Sequence, residues 1–219
     1  MLVDFHSHLD SCDSIVCTDS PNAEHPREAL LRCIGLLPDK WYQDLEDKLL
    51  QTLKTNETLH LGEVGLDRRF EHIMPIEMQT NALERQIRFA ASLNRCISLH
   101  CVRETGRMTA LLSRLEYRPF SILWHGFTGS PETANELYRI GVAVSIGPSF
   151  HGDLNLVLKA NPMLALETDY TGSDSLKHHD ILAKFYQSTS SVLGIKPEDL
   201  QQHCKDVLKI FCGKSLGDI

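Results

Sequence analysis

Residues 58–67 read TLHLGEVGLD, a short apolar run that ends around the acidic residue Glu63. Seven further runs of similar length occur along the chain, and amphipathic segments of helical length lie between most of them. Alternating strands and helices favour a parallel sheet, and eight strands favour a barrel of the TIM (β/α)8 type. The predicted strands are residues 2–6, 14–17, 31–36, 58–64, 96–100, 121–125, 142–146 and 163–167.

The amphipathic segments between the strands predict the helices that connect them. Pro131 follows Ser130, and Pro197 precedes two acidic residues, as is typical of helix starts. The predicted helices are residues 41–54, 76–93, 104–115, 131–140, 153–160, 177–193 and 197–212.

The first connection departs from this pattern. Only about seven residues separate the first two strand runs, whereas a parallel crossover needs a dozen or more. Either the first helix is missing or shortened, or residues 14–17 are not a barrel strand. With no repeat, low-complexity tract or linker, we expect one α/β domain over residues 1–219, a distorted TIM-type barrel.

Composition and charge exclude several classes of protein. The net charge is −7, so the chain lacks the basic surface of a strong non-specific DNA-binding protein, although two divalent ions would bring the charge to −3. The N-terminus does not resemble a signal peptide, and no run reaches 18 apolar residues. The seven cysteines lack paired spacing; Cys12 and Cys17 come nearest to a metal pair, and free thiols fit better. We expect a cytoplasmic protein.

Residues able to bind metals follow the ends of five predicted strands. In a barrel these ends meet at the face that carries the active site. His6 and His8 are two residues apart, so both side chains point to the same side of the strand. Such a set can hold two divalent ions, with one carboxylate as a bridge. An isolated HxH pair is a weak signal, but six candidates together predict a metal centre formed by His6, His8, Glu63, His100, His125 and Asp169.

Five segments, in this order, resemble the TatD family of metal-dependent hydrolases. They are DFHSHLD (4–10), GEVGLD (62–67), ISLHCVRE (97–104), WHGFTGS (124–130) and ALETDY (165–170). The resemblance implies a distorted TIM barrel and a metal-dependent deoxyribonuclease, often a 3′–5′ exonuclease. It also implies one metal on His6, His8 and Asp169, a second on His100 and His125, and Glu63 bridging both. Asp169 would in addition accept a proton from the attacking water.

The departures from the family's motifs lie at the expected substrate rim. Residues 35–39 read GLLPD where the family has two histidines, the proline after the E-T-D motif is missing, and Arg103 lies one place later than usual. The stretch before GEVGLD is also some tens of residues shorter than usual. None of these changes affects an expected metal ligand.

Other side chains are candidates for supporting roles. Arg68, Arg69 and Arg103 could contact a phosphate, although each could also be a solvated surface residue. Asp67 could orient a metal-bound histidine, and Glu167 competes with Asp169 as the ligand. Phe127 and Phe150 could stack on bases. We expect Trp124 to be packed and His60 to face away from the barrel interior. We expect solvent contact for His72, His151, His178 and His179.

Three functions fit this pattern. The first is a phosphodiesterase, most simply a DNA exonuclease with a two-metal-activated water, whose partner is DNA or a small phosphodiester. The second is a two-metal hydrolase of an amide, lactone or cyclic amide, and the third is a non-catalytic metal-binding barrel. Arginines converging on the mouth would favour phosphate. Four imidazoles suit zinc, manganese, nickel or iron better than magnesium. No membrane association and no obligatory protein partner is indicated.

Overall fold

The computed structural model describes residues 2–18, 21 and 28–213. Eight strands form one sheet in which every neighbouring pair is parallel and the order follows the sequence. This confirms the predicted barrel. The strands are β1 (Asp4–Ser7), β2 (Ser14–Thr18), β3 (Leu31–Ile34), β4 (Leu59–Asp67), β5 (Ile97–Val102), β6 (Ile122–Trp124), β7 (Val142–Ile146) and β8 (Leu164–Leu166).

The first and last strands approach each other and nearly close the barrel. The backbone N–H of Asp169 donates to the carbonyl of His6 at 3.0 Å, and that of His8 donates to the carbonyl of Tyr170 at 2.9 Å. Ser7 and Tyr170 form an isolated parallel bridge. The C-terminal end of β1 is thereby joined to the segment after β8.

Among the residues that the structure describes, seven α-helices accompany the strands, and each predicted helix is present. Side-chain caps fix several starts: Ser130 accepts from the N–H of Thr133, and Asp174 accepts from that of Lys177. At its C-terminal end, α3 stops three residues before the predicted limit. The helices are α1 (Gln43–Thr55), α2 (Ile76–Ser92), α3 (Thr105–Leu112), α4 (Pro131–Arg139), α5 (Leu154–Ala160), α6 (Ser175–Leu193) and α7 (Pro197–Cys212).

The chain passes from β1 to β2 without a helix. Ser14 pairs with Asp4 and Val16 with Ser7, so β2 is a genuine barrel strand and the alternative that it lies outside the barrel is wrong. The short connection suffices because β1 is short. Four residues of strand span only about 10 Å, while six extended residues reach about 20 Å. The missing first helix is therefore compatible with a parallel pairing.

Apolar side chains fill the barrel interior and the space between sheet and helices. Phe5, Leu61, Leu99, Val144 and Leu166 are among the fully buried residues. This packed core leaves the strand ends as the place for polar groups. Within the described part of the chain, none of the helices is long and apolar enough to cross a membrane.

Candidate metal centre

Six side chains meet at the C-terminal end of the barrel, and β4 supplies the central one, Glu63. The pairing of β4 with β5 shifts its register between Leu61 and Val64, and Gly62 within this bulge has a φ of +148°. A β-carbon on Gly62 would lie 2.7 Å from Cβ of Ser98. Glycine at this position therefore allows β4 to approach β5 closely, and Glu63 projects from the bulge with only 4% of its surface exposed.

The carboxylate of Glu63 lies among four imidazoles. Oε1 is 2.6 Å from Nδ1 of His100 and 2.6 Å from Nε2 of His125. Oε2 is 3.7 Å from Nε2 of His6 and 3.8 Å from Nε2 of His8. Burial acts to raise the pKa of Glu63, but the hydrogen bonds with His100 and His125 outweigh it and hold the pKa far below its usual range. Glu63 is therefore a carboxylate at neutral pH.

Asp169 reaches the same centre from the loop after β8, where its φ is +50°. Its Oδ1 lies 3.8 Å from Nε2 of His6 and 3.5 Å from Nε2 of His8. These separations are too long for hydrogen bonds. They suit two atoms bound to one ion, since ligands about 2.1 Å from a tetrahedral ion lie about 3.4 Å apart.

His6 supplies an independent observation in favour of a cation. Its ring is fully buried, and Nε2 has no hydrogen-bond partner among the described residues. The other ring nitrogen, Nδ1, is 3.2 Å from Oγ of Ser98 and 3.6 Å from Sγ of Cys17. An orphaned buried nitrogen is costly unless a ligand satisfies it, so the donor set fits a divalent metal ion.

Two groups of three ligand atoms are compact in the described part of the chain. They are His6, His8 and Asp169, and His6, Glu63 and His125; within each group all ligand atoms lie within 4.8 Å of one another. His100 belongs to neither group and instead lies between Glu63 and Asp67. The structure thus brings all six predicted ligands together, with His100 in contact with Glu63.

The sequence over residues 20–213 matches the profile of the family described as TatD related DNase. The chain belongs to this family. It is 34% identical over 159 residues to the human deoxyribonuclease TATDN3, covering 64% of this chain and 57% of that protein. It is 29% identical over 131 residues to the 3′-5′ ssDNA/RNA exonuclease TatD of Citrobacter koseri, covering 59% and 46%. The chain thus matches about half the length of these two TatD-family relatives.

A solved TatD homologue has the same fold. The structure of YjjV from Escherichia coli K12 superposes with a TM-score of 0.77 at 19% sequence identity, and the match covers 96% of this chain and 97% of that one. The barrel described above is therefore the fold of this solved homologue.

Two buried carboxylates orient the histidines of this TatD-family site from behind. Oδ2 of Asp67 is 3.0 Å from Nε2 of His100, as expected from the sequence. Glu167 accepts hydrogen bonds from the N–H of Gly126 at 2.8 Å and from the hydroxyl of Ser145, and lies 3.5 Å from Nδ1 of His125. Glu167 therefore faces the far side of His125, and Asp169 is the acid from this segment that approaches His6 and His8.

The three arginines of the predicted rim have different surroundings. Arg68 forms ion pairs with Glu104 and Glu71. Arg69 donates from Nε to both oxygens of Asp67 at 3.0 Å. Arg103 is exposed, has a φ of +59°, and has no hydrogen-bond or ion-pair partner among the described residues. Arg68 and Arg69 are thus held by acids, which leaves Arg103 as the arginine without a competing carboxylate.

The structure distinguishes the two predicted base-stacking residues, Phe127 and Phe150. The prediction for Phe127 as a base-stacking residue is wrong. Its ring is 1% exposed and packs edge-on against Trp124, with the centroids 6.2 Å apart. The N–H of Phe127 donates to the carbonyl of Ser145 at 2.8 Å, so the backbone stays against β7. Trp124 is packed, as predicted. Phe150 is partly exposed on the loop after β7.

The prediction for His178 is also wrong. It is buried, and its Nε2 lies 2.7 Å from Oδ2 of Asp4. The first turns of α6 face the barrel here, and the buried carboxylate of Asp4 requires a polar partner. In the sequence, only Asp4 itself, two residues before His6, indicated that a buried carboxylate would need a polar partner. His72, His151 and His179 are exposed, as predicted.

The last candidates to place are His60 and the Cys12–Cys17 pair. The ring of His60 accepts a hydrogen bond from the N–H of Cys96 at 3.0 Å, near the start of β4. Cys12 and Cys17 do not form a metal pair with each other: Cys12 is exposed, whereas Cys17 is a buried free thiol next to His6. Burial raises the pKa of Cys17 well above its usual value, so its thiol is protonated.

Proposed function

We propose that this chain is a metal-dependent phosphodiesterase that hydrolyses nucleic acid, with single-stranded DNA attacked from its 3′ end as its simplest substrate. The observation that carries the proposal is the ionised Glu63 among four imidazoles, beside the orphaned Nε2 of His6. The nuclease names of the relatives support a phosphodiester substrate rather than an amide or lactone. No described contact favours a non-catalytic barrel.

In this proposal His6, His8 and Asp169 hold one divalent ion. His125 and His100 hold a second, and Glu63 lies between the two sets. When bound, such ions supply Lewis acidity toward the phosphoryl oxygens and toward the attacking water. The imidazole-rich donor set suits zinc, manganese, nickel or iron better than magnesium.

Asp169 is the residue that we assign to proton transfer. Its side chain is 55% exposed, so water and substrate reach it from the barrel mouth. Burial acts to raise its pKa, but the nearby imidazoles of His8, His6 and His125 outweigh this, and the pKa lies below its ordinary value. Asp169 is therefore ionised at neutral pH and can accept the proton of an attacking water.

Other side chains position the histidines and the substrate. Two buried carboxylates orient histidine rings, and an arginine at the barrel mouth contacts the substrate. Asp67 fixes the ring of His100 by binding Nε2, which leaves Nδ1 directed at Glu63. Glu167 lies 3.5 Å from Nδ1 of His125 and supports that ring by its negative charge. We assign phosphate contact to Arg103, which is exposed just beyond β5 and is not paired with a carboxylate as Arg68 and Arg69 are.

The test is a substrate panel with the purified protein loaded with manganese, zinc or magnesium. The substrates are single-stranded DNA labelled at either end, RNA of the same sequence, a generic phosphodiester and a lactone. We expect shortening of the DNA from its 3′ end and loss of that activity in Glu63→Gln. Hydrolysis of the lactone without any phosphodiester cleavage would contradict the proposal, as would an active Glu63→Gln variant.

A further inference from the structure

A groove of about 540 Å³ lies between the loop after β7 and one face of α6. Its walls are mainly apolar, and Val192 at its edge is 62% exposed. We call this the α6 groove. The residues that define it here are Ile146, Phe150, Leu154, Phe185, Ser188 and Val192.

The α6 groove adjoins a hollow beside Asp169 of the candidate metal centre. A second hollow, of about 180 Å³, is lined by Asp169, Glu167 and the loop after β7. The two hollows share Pro148 and Phe150 as lining residues. The groove and the hollow beside Asp169 therefore adjoin each other at the ring of Phe150.

Phe150 has the room it needs at this junction because residue 152 is glycine. A β-carbon on Gly152 would lie 2.5 Å from Cζ of Phe150. Any larger residue would therefore displace the aromatic ring. Glycine at position 152 therefore leaves room for the partly exposed ring of Phe150 between the two hollows.

The chemistry of the walls suits a flat heteroaromatic ring on an anionic chain. Apolar side chains and two aromatic rings offer surfaces for a base, and the hydroxyls of Ser188 and Thr189 lie among them. The one ionisable side chain in the lining is that of Lys184, whose Nζ also lies 2.6 Å from Oδ2 of Asp180. Apolar walls with a cation at the edge complement a neutral base joined to a phosphate backbone.

We infer that the α6 groove binds a nucleobase of the strand whose phosphodiester bond lies at the metal centre, and that Phe150 stacks on that base. The identity of the strand rests on the proposed function. A base inside a duplex cannot enter the groove without leaving its stack. The groove thereby gives the site a preference for single-stranded ends.

The test compares the binding of deoxyadenosine monophosphate with that of 2-deoxyribose 5-phosphate by calorimetry. We expect the nucleotide to bind about 5- to 150-fold more tightly, as one base stacked on an aromatic side chain provides. Ser188→Trp, which fills the groove, should abolish this difference. Ser191→Trp is the matched control: both serines are exposed on α6 and donate to backbone carbonyls of the preceding turn, but Ser191 does not line the groove.

A second pair of variants guards against misfolding of Ser188→Trp. Phe150→Ala should reduce the preference for the nucleotide, and Phe150→Tyr should restore it. Equal affinities for the two ligands in the wild-type protein would overturn the inference, as would an unchanged preference in Phe150→Ala.

Binding of these ligands requires no hydrolysis, so the two proposals fail separately. A protein that prefers the nucleotide but cleaves no polynucleotide contradicts the proposed function alone. A protein that cleaves DNA but binds both ligands equally contradicts the α6 groove alone.

Discussion

Oδ2 of Asp4 lies 2.7 Å from Nε2 of His178, and neither residue is more than 2% exposed. The same carboxylate accepts hydrogen bonds from the backbone N–H of Thr168 at 2.9 Å and from its hydroxyl at 2.6 Å. It also accepts from the N–H of His6 at 3.2 Å. Asp4 therefore ties β1 to the residue that precedes Asp169, and His178 holds Asp4 in place.

Replacing His178 tests this positioning role. His178→Ala removes one partner of a buried carboxylate, so we expect the free energy of unfolding to fall by about 1–3 kcal/mol. We also expect weaker metal binding, because the loop that carries Asp169 loses its support. Urea unfolding and metal titration measure the two effects. His179→Ala on the same helix is the control, since His179 is exposed; equal behaviour of the two variants would refute the role.

The proposed bridging role of Glu63 can be tested by counting the ions bound. Elemental analysis at saturating metal should find more than one divalent ion per chain in the wild-type protein. Glu63→Gln keeps the shape but removes the negative charge that four imidazoles surround, so we expect a lower metal content. Glu71→Gln, at a surface acid with 47% of its side chain exposed, should leave the metal content unchanged. Two ions bound normally by Glu63→Gln would rule out the bridging role.

The roles of Asp169 and Glu167 can be separated by a paired substitution. Asp169→Asn removes the proton acceptor, and we expect phosphodiester hydrolysis to fall by about 10²- to 10⁴-fold while Glu63, His100 and His125 still hold a metal. Glu167→Gln acts through the orientation of His125, so we expect metal affinity to fall by about 10- to 100-fold. Rates and metal contents are measured together. Near-normal turnover in Asp169→Asn with an inactive Glu167→Gln would reverse the assignment.

Arg103 should contribute to substrate affinity through phosphate contact. For Arg103→Ala we expect the KM for single-stranded DNA to rise, and the slope of log affinity against log salt to decrease by about one unit. Arg88→Ala is the control, because Arg88 is exposed but paired with Glu84 on the outer helix α2. If both variants show the same KM and the same salt dependence, Arg103 does not bind the substrate.

The fold and the convergence of the six candidate ligands were predictable because both depend on local signals. Apolar runs mark the strands, and parallel strands of a barrel end at a common face, so His6, Glu63, His100 and His125 had to converge. Alternation along a strand could not be counted through β4, because the bulge at Gly62 inserts one residue relative to β5. The direction of the Glu63 side chain relative to earlier residues of β4 could therefore not be predicted from the sequence.

The misassigned residues depend on contacts between distant segments. His178 is buried because it meets Asp4, which is 174 positions away in the chain. No local pattern in the first turns of α6 distinguishes His178 from the exposed His179. Phe127 is likewise buried by the path of the chain after β6, which its neighbours in sequence do not specify.

The first and last strands meet at the candidate metal centre, and this has a consequence for folding. Ser7 and Tyr170 pair although 163 positions separate them, and the backbone bonds of His8 and Asp169 lie on either side. Until the barrel closes during folding, His6 and His8 lie far from Asp169. A cation held by these three residues binds only the closed barrel. The free energy by which the cation stabilises the closed barrel therefore rises with the logarithm of the cation concentration. Added metal should therefore slow the hydrogen exchange of the His8 and Asp169 amides.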